Sequence, residues 1–126
     1  MTAKGINVLL VEDDVFLTNI YKTKFEMEKF HVVHASNGEE GLDMAKKKNP
    51  DIILLDILMP KMDGFMVLEA LKKDDATKDI PVILLTNLGQ KDDVEKGLEM
   101  GAVDYLIKAH FKPSETVSKI KKILNI

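Results

Sequence analysis

The sequence predicts an α/β domain built on a parallel sheet. Four segments are almost wholly apolar: residues 6–11, 52–55, 82–85 and 103–107. Apolar runs of this length are typical of strands buried on both faces, as in a parallel sheet covered by helices. Segments with helical periodicity alternate with the strands five times, which is the pattern of repeated βα units. The sequence therefore favours helices on both faces of one central sheet.

The first half of the chain holds two of these units. A helix over about residues 14–29 follows the first strand and carries apolar side chains on one face. His31–Ala35 is a shorter and less apolar strand, as expected at the edge of a sheet. The segment Ser36-Asn37-Gly38-Glu39 predicts a capping box that opens the second helix, which ends before Pro50.

The second half continues the alternation. A loop with two turn signals follows the third strand and leads into a third helix. Pro81 begins the fourth strand, where a missing N–H is tolerated. A polar helix is expected over residues 90–100, with Gly101 as its C-cap. Pro113 lies in the first turn of the last helix, which turns its apolar residues inward.

Composition limits the class of protein. We expect residues 1–126 to form a single domain, because this length is typical of one. A net charge of −3 with interspersed lysines argues against direct binding of nucleic acid or of a membrane surface. Cysteine is absent, which excludes disulfides and thiolate chemistry. The chain enters a strand at once and has no apolar stretch of about 18 residues, so we expect a cytoplasmic protein without a signal peptide.

Polar residues stand where the strands end. Asp13 and Asp14 follow the first strand, Asp56 the third, Thr86 the fourth and Lys108 the fifth. In an open α/β sheet, ligands bind at the carboxyl ends of the strands, so these side chains should converge. Crowded carboxylates repel each other unless a cation lies between them, and Mg²⁺ accepts one or two carboxylates, waters and phosphate oxygens. The sequence therefore predicts a magnesium site formed by the three aspartates.

The same residues suit phosphoryl transfer. Asp56 stands alone among apolar neighbours at the end of a central strand and is the best candidate for a carboxylate nucleophile. The protein's main task in such chemistry is to position the group and to cancel charge on its oxygens. Lys108 can supply a positive charge and Thr86 a hydrogen bond. A main-chain carbonyl in the loop after Asp56, that of Leu58, is the candidate for a further magnesium ligand.

Taken together, these motifs resemble the receiver domain of two-component response regulators. The resemblance is carried by Asp13-Asp14, Asp56 with Met59-Pro60 and Gly64, Thr86, and Asp104-Tyr105 before Lys108. It covers essentially the whole chain, and each motif stands in the expected element. It implies a flavodoxin-like, doubly wound (βα)5 fold with a five-stranded parallel sheet in the order 2-1-3-4-5. It also implies a phosphoprotein: Asp56 receives its phosphoryl group, with Mg²⁺, from a phosphohistidine of a sensor histidine kinase or a histidine phosphotransfer protein.

The resemblance further implies a switch. Thr86 closes on the phosphoryl group and Tyr105 turns inward, which alters the face formed by the fourth helix, fifth strand and fifth helix. That face then passes the signal to an unidentified downstream protein. On this view the domain catalyses its own phosphorylation and is not a multiple-turnover enzyme.

The chain departs from the family pattern at two places. The family usually has proline after the lysine, commonly with a cis peptide bond, whereas Ala109 follows Lys108 here. Leu58 and Leu88, two residues beyond Asp56 and Thr86, are both apolar, and we expect them to slow hydrolysis of the phosphoryl group by excluding water.

Three other functions are weaker alternatives. A phosphohydrolase that forms an aspartyl phosphate needs a second acid two residues after the nucleophile, where this chain has Leu58. A receiver-like scaffold that binds partners without phosphorylation would not need the intact set of site residues. A nucleotide or flavin binder would need a glycine-rich loop after the first strand. The three histidines, His31, His34 and His110, are expected to be surface residues without a site of their own.

Overall fold

A computed structural model describes residues 5–59, 62–87, 91–108 and 112–126 of the chain. Within these ranges strands and helices alternate, and they are β1 (Asn7–Val11), α1 (Val15–Met27), β2 (His31–Ala35), α2 (Gly38–Lys48), β3 (Ile52–Asp56), α3 (Gly64–Lys73), β4 (Val82–Thr86), α4 (Lys91–Glu99), β5 (Asp104–Ile107) and α5 (Pro113–Leu124). All the paired strands are parallel, and their order is β2-β1-β3-β4-β5. The predicted fold class and the strand order implied by the resemblance are both confirmed.

Alternation along the strands divides the core into two layers. Leu9, Leu55 and Leu84 face the layer that contains α2 and α3, and Gly97 lets α4 approach Leu84 on the same side. The intervening strand residues face the other layer, where they pack against α5 and against Tyr21 of α1. Strands buried on both faces explain why the sequence shows continuous apolar runs rather than alternation.

The edges of the sheet differ from its centre. β3 and β4 are buried along their whole length, whereas most residues of β2 and β5 are half-buried or exposed. The prediction of β2 as an edge strand is therefore confirmed. No helix in the described ranges combines the length and the hydrophobicity needed to cross a membrane.

Helix boundaries agree with the predicted signals to within a residue or two. Asn37, rather than the predicted Ser36, caps α2, because its side-chain oxygen accepts a hydrogen bond from the Glu40 N–H at 2.9 Å. Gly101, two residues after the end of α4, adopts φ = +112°, as a glycine that ends a helix does. Pro113 is the first residue of α5.

Candidate functional site

The site lies where four parallel strands end at the same edge of the sheet. Glu12 directly follows β1, Asp56 and Thr86 are the last residues of β3 and β4, and Lys108 follows β5. Asp56 and Glu12 are fully buried, at 1% and 0% relative exposure, whereas Asp13 beside them is exposed. The strand ends therefore bring the predicted nucleophile, hydroxyl and amine to one edge, together with a buried glutamate that the sequence analysis did not select.

An ion pair links three of these residues across the sheet. The Lys108 ammonium lies 2.7 Å from Oδ2 of Asp56 and 3.1 Å from Oε1 of Glu12. Of these three side chains, the lysine has the most contact with solvent, at 18% exposure. Lys108 therefore serves as the internal counter-ion for two buried carboxyl groups.

The carboxyl groups are gathered closely enough to hold a cation. One oxygen from each of Glu12, Asp13 and Asp56 lies within 4.8 Å of the others. Oε1 of Glu12 is buried and has no hydrogen-bond partner among the described residues, despite its ion pair with the lysine. A buried oxygen without a hydrogen bond is costly, and a hard cation that prefers oxygen ligands would satisfy it. The group therefore fits Mg²⁺.

Burial sets the proton affinity of this group. It raises the pKa of Glu12 to about 7, and the nearby Asp56 carboxylate adds to the effect, while the Asp14 N–H opposes it. The pKa of Asp56 is also raised by burial, although the hydrogen bond from Lys108 works against the rise. Burial alone would lower the pKa of Lys108, but its contacts with Asp56 and Glu12 outweigh this and raise it. The lysine thus stays charged between carboxyl groups that resist ionisation.

Asp14 caps a helix in the structure. Its Oδ1 accepts a hydrogen bond from the Leu17 N–H at 3.1 Å and so caps α1. In the described part of the chain, Asp14 is not among the carboxylates that approach one another; Glu12 takes the place that the sequence analysis gave to it. The N–H of Asp14 instead donates to Oε2 of Glu12 at 3.0 Å, which helps to hold that side chain at the site.

The loop after β3 is held against Asp56. Oδ1 of Asp56 accepts a hydrogen bond from the Leu58 N–H at 3.1 Å, and the Leu58 side chain is exposed. Gly64 opens α3 so close to this strand end that an added Cβ would lie 2.5 Å from the Asp56 carbonyl oxygen. The Leu58 N–H therefore contacts the Asp56 carboxylate, and Gly64 lies against the Asp56 main-chain carbonyl.

The two predicted switch residues occupy neighbouring strands. Thr86 is buried at the end of β4, and within the described ranges its hydroxyl makes one long hydrogen bond, of 3.4 Å, to the Asn87 carbonyl. Tyr105 lies in β5 opposite Leu84 and is 37% exposed. The switch implied by the resemblance begins with a Thr86 hydroxyl that can change its hydrogen bond and a Tyr105 ring that is exposed on the neighbouring strand. Both side chains have these positions here.

Several sequence expectations concern residues outside the described ranges. Ala109, and with it the Lys108–Ala109 peptide bond, is among them, as are Leu88, Pro60 and His110. The expected effect of the two leucines on hydrolysis thus stays a prediction. Of the other histidines, His31 is exposed as expected, but His34 is half-buried and hydrogen-bonded near the site.

Comparison with known proteins decides the family. The model of the response regulator receiver domain matches residues 8–121. The chain belongs to this family. Receiver domains are the phosphoacceptor signalling domains of two-component systems. The fold of this chain and the acidic cluster at its strand ends agree with that function.

Individual relatives support the same assignment. The receiver is 44% identical over 117 residues to the transcriptional regulatory protein CpxR of Escherichia coli, and the match covers 93% of this chain and 48% of that protein. The chain spans about half the length of the curated relatives it matches. It also resembles the signal receiver domain of a signal transduction histidine kinase from Syntrophus aciditrophicus, with a TM-score of 0.87, 35% identity, and coverage of 96% of this chain and 91% of that one.

A further solved structure is the receiver domain of a sensor histidine kinase from Pseudomonas aeruginosa. It has a TM-score of 0.88 and 25% identity, covers 97% of this receiver and 99% of its own chain, and has a magnesium ion coordinated in its active-site cleft.

Proposed function

We propose that Asp56 is the residue that accepts the phosphoryl group in this receiver. The observation that carries the proposal is the position of its carboxylate, which is buried, lies 2.7 Å from the Lys108 amine and belongs to the cluster with Glu12 and Asp13. Asp63 offers a contrast, since its Oδ1 accepts from the Met66 N–H and its carboxylate has the ordinary role of a helix cap.

The carboxylates of Glu12, Asp13 and Asp56 are the proposed magnesium ligands, with the main-chain carbonyl of Leu58 as a further one. This set replaces Asp14 of the sequence analysis by Glu12. When bound, the ion would neutralise part of the charge on the transferred phosphoryl group.

The reaction uses few protein groups. An oxygen of Asp56 forms a bond to phosphorus as the phosphorus–nitrogen bond of a phosphohistidine breaks; the electron pair leaves with the imidazole nitrogen, which takes up a proton. Lys108 holds the acceptor carboxylate before the step and can turn its charge towards the phosphoryl oxygens after it. The Thr86 hydroxyl, whose hydrogen bond in the described part of the chain is a long one of 3.4 Å, can donate to one of those oxygens.

The phosphohistidine donor is proposed to belong to a sensor histidine kinase or a histidine phosphotransfer protein. The output is proposed to be protein binding through the face that contains Tyr105, with no multiple-turnover reaction on an external substrate. The relatives that are transcriptional regulators are about twice as long as this chain, so any link to DNA concerns the remainder of such proteins. The cytoplasmic location expected from the sequence stays a prediction.

The test is phosphorylation by a small acyl-phosphate donor in the presence of Mg²⁺, followed by intact mass. We expect one phosphoryl group per chain, no adduct in excess EDTA and no adduct in Asp56→Asn. Asp63→Asn is the matched control, because asparagine caps a helix as well as aspartate does, and it should be phosphorylated like the wild type. An unmodified wild-type chain would contradict the proposal and leave the scaffold without phosphorylation as the better account.

A further inference from the structure

His34, on the edge strand β2, reaches the backbone of a proposed metal ligand. Its Nε2 lies 2.7 Å from the main-chain carbonyl oxygen of Glu12 and 3.3 Å from the hydroxyl oxygen of Thr18. The histidine is half-buried and Thr18 is buried in α1. One imidazole therefore joins the strand β2, the end of β1 and the first turns of α1.

The geometry fixes which ring nitrogen carries a hydrogen atom. A carbonyl oxygen can only accept a hydrogen bond, so at 2.7 Å the Nε2 must be the donor. The Thr18 hydroxyl oxygen is farther from Nε2 and makes the weaker of the two contacts. Of these two contacts of Nε2, the bond to Glu12 is thus the stronger.

The accepting carbonyl belongs to the peptide unit that joins Glu12 to Asp13. Because a peptide unit is planar, rotation of this carbonyl changes ψ of Glu12 and φ of Asp13, and a hydrogen bond that holds the carbonyl restrains both backbone torsions. The Glu12 N–H donates to the Ala35 carbonyl at 3.0 Å, which holds the preceding peptide unit to β2. Among the described residues, His34 is the side chain from outside the β1–α1 turn that forms a hydrogen bond with the peptide unit between Glu12 and Asp13.

We propose that His34 is a positioning residue for the metal site: its Nε2–H bond to the Glu12 carbonyl restrains the backbone between two of the three carboxylate ligands and thereby strengthens Mg²⁺ binding. This inference rests on the proposed function, in which Glu12 and Asp13 hold the ion. Groups that orient metal ligands typically change metal affinity by about 10- to 100-fold when they are removed.

The experiment compares variants of the whole chain by calorimetric titration with Mg²⁺ in the absence of a phosphoryl donor. His34→Phe keeps an aromatic ring but removes the donor, and we expect the dissociation constant to rise by about tenfold. Thr18→Val is the matched control, since it removes the other oxygen near Nε2 but leaves the bond to Glu12, and its affinity should stay close to that of the wild type. His34→Ala repeats the test without inserting any new group, in case the larger ring prevents folding.

Two readouts separate positioning from a general effect on stability. The carbonyl ¹³C shift of Glu12 in the metal-free protein should move in His34→Phe and His34→Ala but not in Thr18→Val, because it reports the hydrogen bond itself. In phosphorylation with an acyl phosphate, the Mg²⁺ concentration for half-maximal rate should rise while the rate at saturating Mg²⁺ stays near that of the wild type. His34→Gln, which retains an N–H donor, should recover part of the affinity.

The inference is overturned if the wild type binds Mg²⁺ and the folded His34→Ala or His34→Phe binds it equally well. It is also overturned if Thr18→Val weakens binding as much as the histidine variants do, since packing rather than the bond would then be responsible. Failure of the proposed function would be recognised separately, because then the wild type itself would take up neither Mg²⁺ nor a phosphoryl group.

Discussion

Two sets of acidic residues lie at the same edge of the sheet and behave in opposite ways. Asp14 and Asp63 accept hydrogen bonds from main-chain N–H groups in the first turns of α1 and α3, at 3.1 and 3.0 Å, and neither is buried. Glu12 and Asp56 follow or end buried strands, have raised pKa values and depend on one lysine for a compensating charge. The first set stabilises helices, and the second keeps a reactive charge inside the protein.

The difference shows that depth in the fold, rather than adjacency in the sequence, assigns these roles. Glu12 and Asp14 are two residues apart and are joined by a hydrogen bond, yet one is at the site and the other caps a helix. A helix cap gains a partner for its charge on folding, whereas a buried carboxyl group loses its hydration. The buried set is therefore the one whose stability should respond to mutation of Lys108, to metal and to pH.

The largest effect is expected from Lys108→Met. Removal of the amine leaves two buried carboxyl groups without a cation, and the free energy of unfolding in EDTA should fall by about 3 kcal/mol, as for other broken buried pairs. Lys73→Met is the control, because it removes an exposed lysine that contacts Glu69 on the surface of α3 and should change little. Urea denaturation measures both, and equal losses would show that the buried set is not special.

The next effect separates Asp13 from Asp14. Asp13→Asn should weaken Mg²⁺ binding by about tenfold or more, because it removes a proposed ligand charge, without lowering stability in EDTA. Asp14→Ala should do the reverse and cost about 1 kcal/mol of stability through the lost cap. Asp14→Asn should preserve both properties.

Calorimetry and urea denaturation of these three variants assign the two roles directly. Weak Mg²⁺ binding in Asp14→Ala as well as in Asp13→Asn would restore the assignment made from the sequence.

The smallest change in the free energy of unfolding in EDTA is expected from Glu12→Gln at neutral pH. With a pKa of about 7, the Glu12 carboxyl group is ionised in only part of the molecules at that pH. The variant should instead change the pH dependence of stability. Between the ordinary value of 4.5 and about 7, the folded wild type holds a proton that the unfolded chain has released. Its stability in EDTA therefore falls as the pH rises through this window and is greatest below it.

Glu12→Gln should flatten that decline, as measured by urea denaturation at a series of pH values. The same slope in the variant as in the wild type would contradict the raised pKa.

Most of the fold could be predicted from the sequence because strands buried on both faces leave an unmistakable pattern. The apolar runs that gave β3 and β4 are the strands found at the centre of the sheet. The less apolar β2 was recognised as an edge strand for the same physical reason. The cap of α2 was misplaced by one residue, since Ser36 and Asn37 are both good capping residues and backbone geometry decides between them.

The site could be predicted only in part. Asp56, Lys108 and Thr86 follow from the strand ends, but three consecutive acids follow β1, and their roles depend on where the strand stops. The available signal was the position of Asp14 directly before a helix, which marks it as a cap and leaves Glu12 and Asp13 for the site. The bond from His34 could not be predicted, because it depends on how far a side chain of β2 reaches over the end of β1.

The placement of the two tyrosines offers a way to watch the protein without a label. The chain has no tryptophan, so its ultraviolet fluorescence arises from Tyr21, which is 2% exposed, and Tyr105, which is 37% exposed. A dissolved collisional quencher should therefore reach the ring on β5 and spare the one beneath α5. If the outer ring turns inward when the acceptor is loaded, quenching should diminish, and the emission of the unmodified chain would follow the transition as it happens.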